Sequence, residues 1–367
     1  MTSAERFRYI FSFKPVDRIF NCEFGWWRET FTSWHSQGLP SSITTNQEAD
    51  QYFGFDQRYI VPINSSLIPA FEEKVIAEEK NHTILFTDQG ATVQIFTDGS
   101  SAIPHYLSFP VETRQDWIEY RKRLSPDSPR YPENWDSLKK EISKMDIPIG
   151  VSCGSLFGEI RNRMGFERAL VTFYDDPIWM EEMMEYATCF TLSLLEKALT
   201  ELPRIDFALF WEDMAFKTQP MISPELFRKF MIPRYQRIVD RLKKAGIDFF
   251  IVDCDGNINE LVPLWLESGV NIMFPLEINS SSDPVSLRKE YGKDLLLLGG
   301  VDKIALIKGK SEIDRELERI RPIVEEGGYI PHVDHRVPPD VSFEHYLYYL
   351  HRKKEIFRIT DWEIPHG

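Results

Sequence analysis

From about residue 147 onward, short apolar runs alternate with longer amphipathic stretches, and this alternation limits the possible folds more than any other feature of the chain. The runs at 147–152, 207–211, 249–253, 271–274, 295–298 and 329–333 read as strands. Helix signals lie between them. The stretch 224–245 has Ser223 as its N-cap, Pro224 at the first helical position and Gly246 after its end, and 261–267 closes similarly at Gly269. Repeated βα units can form an open doubly wound sheet or close into a barrel. No Gly-x-Gly-x-x-Gly turn follows any strand, and closure removes exposed edges, so a (β/α)8 TIM barrel is expected.

Residues 1–146 are less regular. Segments 74–78, 83–87 and 92–96 alternate apolar and polar residues around Asn81-His82 and Gln89-Gly90, the pattern of a β-hairpin. An antiparallel hairpin cannot sit inside a parallel barrel. The expected organisation is therefore an N-terminal extension over 1–146 that carries the hairpin and packs on the barrel, and a main barrel over 147–367. The proline-rich stretch 125–133 leads from one to the other.

A net charge of −14 opposes binding to nucleic acid or to an anionic membrane surface. The first residues lack the apolar core of a signal peptide, and no run approaches the span of a membrane helix, so a cytoplasmic location is expected. Cys22, Cys153, Cys189 and Cys254 are widely spaced, without a Cys-x-x-Cys pair, which argues against both a disulfide framework and a structural zinc site.

In a barrel of this kind catalytic side chains follow the strand ends, and here those positions are acidic. Glu212-Asp213, Asp253-Cys254-Asp255, Glu277, Asp302-Lys303 and His332-Val333-Asp334-His335 each follow an apolar run. On an extended segment Asp253 and Asp255 point to one side and Cys254 to the other. Two oxygen ligands facing one way, with His335 beside them if the strands wrap round, would make a catalytic Zn²⁺ site of Asp253, Asp255 and His335 with an open position. Local structural roles compete with these readings. Asp255 could cap a turn, His332 could be a hydrogen-bonded loop residue, and Glu212-Asp213 could supply helix-start charge. Cys254 reads as a small buried residue. Trp27, Phe31 and Trp34 have helical spacing, so the aromatic cluster that contains Trp26 can serve as core.

Several blocks in order carry a family resemblance. Glu5-Arg6-Phe7 with Pro15-Val16-Asp17-Arg18, Glu212-Asp213-Met214-Ala215 before Ile222-Ser223-Pro224, and Gly299-Gly300-Val301-Asp302-Lys303 are three of them. A fourth is Gly327-Gly328-Tyr329-Ile330-Pro331 leading to Val337-Pro338-Pro339-Asp340-Val341-Ser342. Through these blocks the chain resembles the uroporphyrinogen decarboxylase superfamily, and is more similar to its corrinoid-dependent methyltransferase branch than to the true decarboxylases. The resemblance implies a (β/α)8 barrel. True decarboxylases carry a Met-Arg-Gln-Ala-Gly-Arg segment that binds substrate carboxylates, whereas this chain has Asn21-Cys22-Glu23-Phe24-Gly25-Trp26-Trp27-Arg28 in that region. In thiol-methylating members a His-x-Cys pair and a later Cys bind zinc. By position these correspond to Asp253-Cys254-Asp255 and His335, so every ligand type has changed, which leaves a harder oxygen-and-imidazole zinc site or no metal.

The resemblance, with that departure, implies the methyl-donor side of such systems. The expected activity is transfer of a methyl group from a small methoxylated, aromatic substrate to cob(I)alamin. No Asp-x-His-x-x-Gly corrinoid-binding motif occurs, so the corrinoid would come from a separate protein. Glu212 and Asp253 would act in catalysis with His335, while Glu23, Trp26, Trp27, Phe157, Asp213 and His332 would contact substrate. The competing expectations are a metal-free decarboxylase of a small carboxylated ring and a non-catalytic corrinoid- or ligand-binding protein.

Overall fold

The computed structural model describes residues 1–97 and 104–365. After a short strand β1 (Tyr59–Ile60), the chain forms β2 (Lys74–Glu78), β3 (His82–Phe86), β4 (Thr92–Phe96) and β5 (His105–Ser108). It then forms β6 (Ile149–Ser152), β7 (Phe207–Trp211), β8 (Phe250–Asp253), β9 (Ile272–Phe274), β10 (Leu296–Leu298) and β11 (Tyr329–Ile330). The strands make two sheets. β1 and β6 to β11 form a seven-stranded parallel sheet in chain order, and β2 to β5 form a separate four-stranded antiparallel sheet.

The parallel sheet curls around a second core. Phe207 of β7, Ile251 of β8, Ile272 and Phe274 of β9, Leu296 and Leu298 of β10 and Ile330 of β11 cluster on its concave face. Alternate residues such as Ala208, Phe210, Val252, Met273 and Leu297 belong to the larger core, beneath the helices. At one end the concave face is filled by the N-terminal helix Ser3–Phe11, from which Phe7, Ile10 and Phe11 enter the cluster. The Phe7 ring meets Phe11, Phe20, Phe207 and Phe249 at centroid distances of 4.8 to 6.2 Å. Truncating a ring packed in this way typically costs about 3–5 kcal/mol. The helix is started by a capping box in which Thr2 and Glu5 satisfy each other's backbone N–H groups.

Two expectations change here. Among the described residues the ladder holds seven strands rather than eight, with β1 and β11 at its edges. An extended stretch ending at Trp26 is tied to both edge regions. Asn21 accepts from the Asp56 N–H, Gly25 accepts from the Val337 N–H, and Trp27 donates to the Val337 carbonyl. The sheet also draws β1 from upstream of residue 147, where Tyr59 and Ile60 pair with Ile149 and Gly150. Two partly exposed residues carry no periodic signal, so the sequence could not mark them as the first strand. Segments 74–96 pair antiparallel apart from the parallel sheet, and β5 extends them to four strands.

The helix after β7 begins at Pro224 on the Ser223 cap. Its hydrogen bonding widens to a π turn over Phe227–Met231 before continuing as Ile232–Lys244. Pro233 lies just beyond, and it can neither donate to the preceding turn nor fit closely against it. No helix among the described residues is long and apolar enough to cross a membrane.

Candidate active site

β7 and β8 run flush, with Trp211 opposite Asp253, so the segments leaving their C-terminal ends emerge side by side. Three acids meet there. Asp213, Asp253 and Asp255 each offer a carboxylate oxygen, and these oxygens lie within 4.8 Å of one another. Asp213 has a left-handed backbone (φ +44°), which turns it out of the strand's alternation. Its Oδ1 accepts from the Asp255 N–H at 3.3 Å and its Oδ2 from Trp211 Nε1 at 3.1 Å. Gly256 (φ +89°) lets the turn after Asp255 close, because a Cβ there would stand 2.7 Å from the carbonyl oxygens of Ala215 and Phe216.

The electrostatics of the group follow from this crowding. Burial, with Asp255 and Asp213 as like-charged neighbours, pushes the Asp253 carboxyl up to about 8, so it keeps its proton near neutral pH. Asp213 is raised by burial and by Asp255. Asp255 Oδ1 is buried without a hydrogen-bond partner among the described residues. His335 Nε2 lies 3.2 Å from Asp255 Oδ2. Burial lowers the His335 pKa, but the hydrogen bond and charge of Asp255 outweigh this, and the net shift is upward. Trp27 stacks on the His335 ring at 5.4 Å and 21°, and Phe24 meets its edge at 5.4 Å.

Asp253 also faces a cavity of about 300 Å³ on the concave side of the sheet. Its walls are Phe24, Phe207, Leu209, Ile251, Phe274 and Leu298, and its polar lining includes Glu23, Asp50, Gln57 and Arg58. Glu23 is fully buried and accepts from the Val333 N–H at 2.8 Å and from the Phe24 N–H at 3.3 Å. Burial pushes its carboxyl up to about 7, against the opposing charge of Lys353. His332 is buried, and its Nδ1 lies 2.8 Å from the Val333 carbonyl. A carbonyl only accepts, so Nδ1 carries the proton and Nε2 presents a lone pair. Burial drops the His332 pKa to about 3, which keeps the ring neutral.

Several expected roles are not supported by these positions. Glu212 is fully buried, and its oxygens accept from Ser155 Oγ, the N–H groups of Leu156, Phe157 and Gly158, and the Tyr235 hydroxyl. It anchors the start of the helix Phe157–Met164 and does not face the cavity. Trp26 packs among Phe31, Phe53, Phe55 and Tyr346, and Phe157 against Phe173, so neither is exposed to a substrate. The trio expected to bind metal was Asp253, Asp255 and His335, whereas the mutually close set has Asp213 as its third member. His335, stacked on Trp27, meets the cluster through Asp255 Oδ2 at 3.2 Å.

Other readings agree with the structure. Cys254 is buried in the larger core and accepts from the Met214 N–H at 3.3 Å, while Asp253 lines the cavity. Asp255 caps no helix, since the next one, Val262–Ser268, has no side-chain cap. Glu277 and Asp334 are held by Lys303 at 3.1 and 3.4 Å, and Glu277 also accepts from the Gly256 N–H at 3.0 Å. Arg58, Asp50 and Phe274 also line the cavity, and no sequence signal marks them as site residues. They belong to no motif, and only the fold of the chain brings 50–58 over the sheet.

Comparison with known proteins adds a family and a fold. The uroporphyrinogen decarboxylase (URO-D) family matches residues 83–355. A methyltransferase from Methanosarcina mazei superposes with a TM-score of 0.62 over 97% of this chain and 99% of that chain, at 14% sequence identity. At that identity the likeness is one of fold. A B12-independent methionine synthase from Shewanella sp. W3-18-1 aligns over 65% of this chain and 70% of its own, with a TM-score of 0.41 and 17% identity.

Proposed function

This chain belongs to the uroporphyrinogen decarboxylase family, and from that premise we propose that it is a methyltransferase. It moves a methyl group from a small methoxylated aromatic substrate to cob(I)alamin on a separate corrinoid protein. The reading is carried by the convergence of Asp213, Asp253 and Asp255 at the edge of a cavity walled in part by aromatic and aliphatic side chains. Two further points support it: acid and aromatics replace the carboxylate-binding arginine segment of the true decarboxylases, and the M. mazei protein that shares the fold is a methyltransferase.

A divalent cation suits the three carboxylates. Their oxygens are close together, one Asp255 oxygen lacks a partner among the described residues, and burial, with Asp255 and Asp213 as like-charged neighbours, leaves Asp253 holding a proton that a cation could replace. Asp213, Asp253 and Asp255 would hold the ion, with His335 steadying Asp255 from outside. Zinc is the first ion to test, although an oxygen-rich set also accepts harder cations. When bound, such an ion supplies Lewis acidity at an ether oxygen.

The protein's own residues do the rest. Phe24 and Phe274, whose rings meet edge-on at 4.6 Å, form a wall for an aromatic ring. The apolar walls would keep water from the faces of a bound ring, which strengthens charge interactions beside it. Trp27 and Phe24 hold His335 in place, and His335 in turn fixes Asp255.

The test is to incubate metal-analysed protein with reduced corrinoid and a panel of methoxylated arenes, following corrinoid methylation by absorbance. Methylation that requires the metal supports the reading; none from any donor with metal-replete protein refutes it. The protonated Asp253 also favours a second reading, a metal-free decarboxylase in which this carboxyl protonates a ring carbon. Chelator-insensitive CO₂ release would select it.

A further inference from the structure

We infer that Arg58 is an anion receptor, and that the methyl donor carries a carboxylate which pairs with this guanidinium inside the barrel-mouth cavity. The inference rests on the methyltransferase reading for the word donor, and on independent observations for the anion. Arg58 lines the 300 Å³ cavity together with Glu23, Asp50 and Asp253. Among the described residues it makes no hydrogen bond and no ion pair; Arg336 also makes neither but lies over the Phe24 and Trp27 rings, whereas most other partly buried arginines are paired. Arg18, for example, binds Asp56 and Asp361, and Arg319 binds Glu316 and Asp283. A guanidinium keeps its charge at any ordinary pH, and one without a protein partner in a cavity is free to pair with an incoming anion.

Among the described residues none of the surrounding acids forms an ion pair with it. Glu23 turns its oxygens to the Val333 and Phe24 N–H groups and the Tyr346 hydroxyl. Asp50 is pushed up to about 6, chiefly by burial and despite the opposing charge of Arg58. Asp56 is engaged by Arg18 and lies near Arg6. The planar fork of Arg58 matches the two oxygens of a carboxylate. The opposite walls, Phe24, Phe207 and Phe274, suit one ring. The cavity volume is that of a small-molecule site and accommodates a single-ring acid. Arg58 lies outside the segment in which the true decarboxylases carry their arginines, so this contact is a separate solution to carboxylate binding.

Calorimetric titration of the full-length protein with 4-methoxybenzoate and its neutral amide, 4-methoxybenzamide, tests the inference. Wild type should bind the acid about tenfold more tightly than the amide. Arg58→Gln should abolish that preference and leave amide binding unchanged, which shows the cavity intact, while Arg58→Lys should keep part of it. Equal binding of acid and amide by wild type, no binding of either, or an undiminished acid preference in Arg58→Gln overturns the inference. Arg58-dependent acid binding with no corrinoid methylation would preserve the receptor and refute the methyltransferase. Methylation from neutral donors, insensitive to Arg58→Gln, would do the reverse.

Discussion

Glu212 and Asp213 are adjacent in the chain, yet their carboxylates lie in opposite kinds of surroundings. Glu212, behind the sheet, is surrounded by five donors from the segment 155–158 and Tyr235. Asp213, at the mouth, faces two other carboxylates, one of which has an oxygen with no partner among the described residues. A buried carboxylate whose lone pairs are all used holds structure together. A cluster of under-satisfied carboxylates destabilises the fold locally and is retained where a ligand will neutralise it. The contrast separates a scaffold acid from candidate site acids, although both follow the same strand.

The sharpest way to break this comparison is to remove the scaffold acid. Glu212→Ala leaves five buried donors unpaired and should destabilise the protein by about 3–5 kcal/mol, measured by urea unfolding. A loss below about 1 kcal/mol would mean that water or relaxation satisfies those donors, and the scaffold assignment would fall. Asp253→Asn should do the opposite, with stability raised near neutral pH because the folded chain no longer takes up a proton that the unfolded chain releases, while metal binding and methyl transfer fall about a hundredfold. Unfolding curves, metal analysis and corrinoid methylation on the same variant check all three. Parallel loss of stability and activity would place Asp253 with Glu212.

A pH titration sharpens the comparison further. The Asp253 carboxyl is held at about 8 in the folded chain against an ordinary 3.8, so the folded state binds this proton more tightly than the unfolded one. Its contribution to stability is full below about pH 4 and is lost as pH rises through 8, with a slope of up to ~1.4 kcal/mol per pH unit. Wild type should therefore lose more stability than Asp253→Asn between pH 5 and 8, and added divalent metal should shrink the difference. Coincident pH–stability curves would disprove the raised pKa. The smallest effect belongs to Cys254→Ser. The hydroxyl can keep the hydrogen bond from the Met214 N–H, so stability should change by no more than about 1 kcal/mol and metal content not at all. Loss of metal in that variant would show that the residue faces the site.

Much of this contrast was visible in the sequence, but not all of it. The strands from β6 to β11 were legible because each is an apolar run bounded by turn residues. The opposite facing of Asp253 and Cys254 was legible because strand alternation is a local rule. The roles of Trp26 and Phe157 were misread because an aromatic residue near a strand end fits a pocket or a core equally well, and only packing chooses. Glu212 was misread as catalytic because its donors come from residues 155–158 and from Tyr235, far from it in sequence.

By itself, the sequence determined the parallel βα class, the family and the acidic ends of the strands, because hydrophobic period, turn chemistry and motif order are written in consecutive residues. Only the tertiary structure decided that Asp213 rather than His335 completes the cluster with Asp253 and Asp255. That choice depends on the flush register of β7 and β8, on the left-handed backbone at Asp213, and on the packing of Trp27 against His335. It likewise brought Arg58 to the cavity that Asp253 lines. Apart from the Asp213 backbone, each of these is a non-local contact set by how separate elements dock, and no short window along the chain contains both partners.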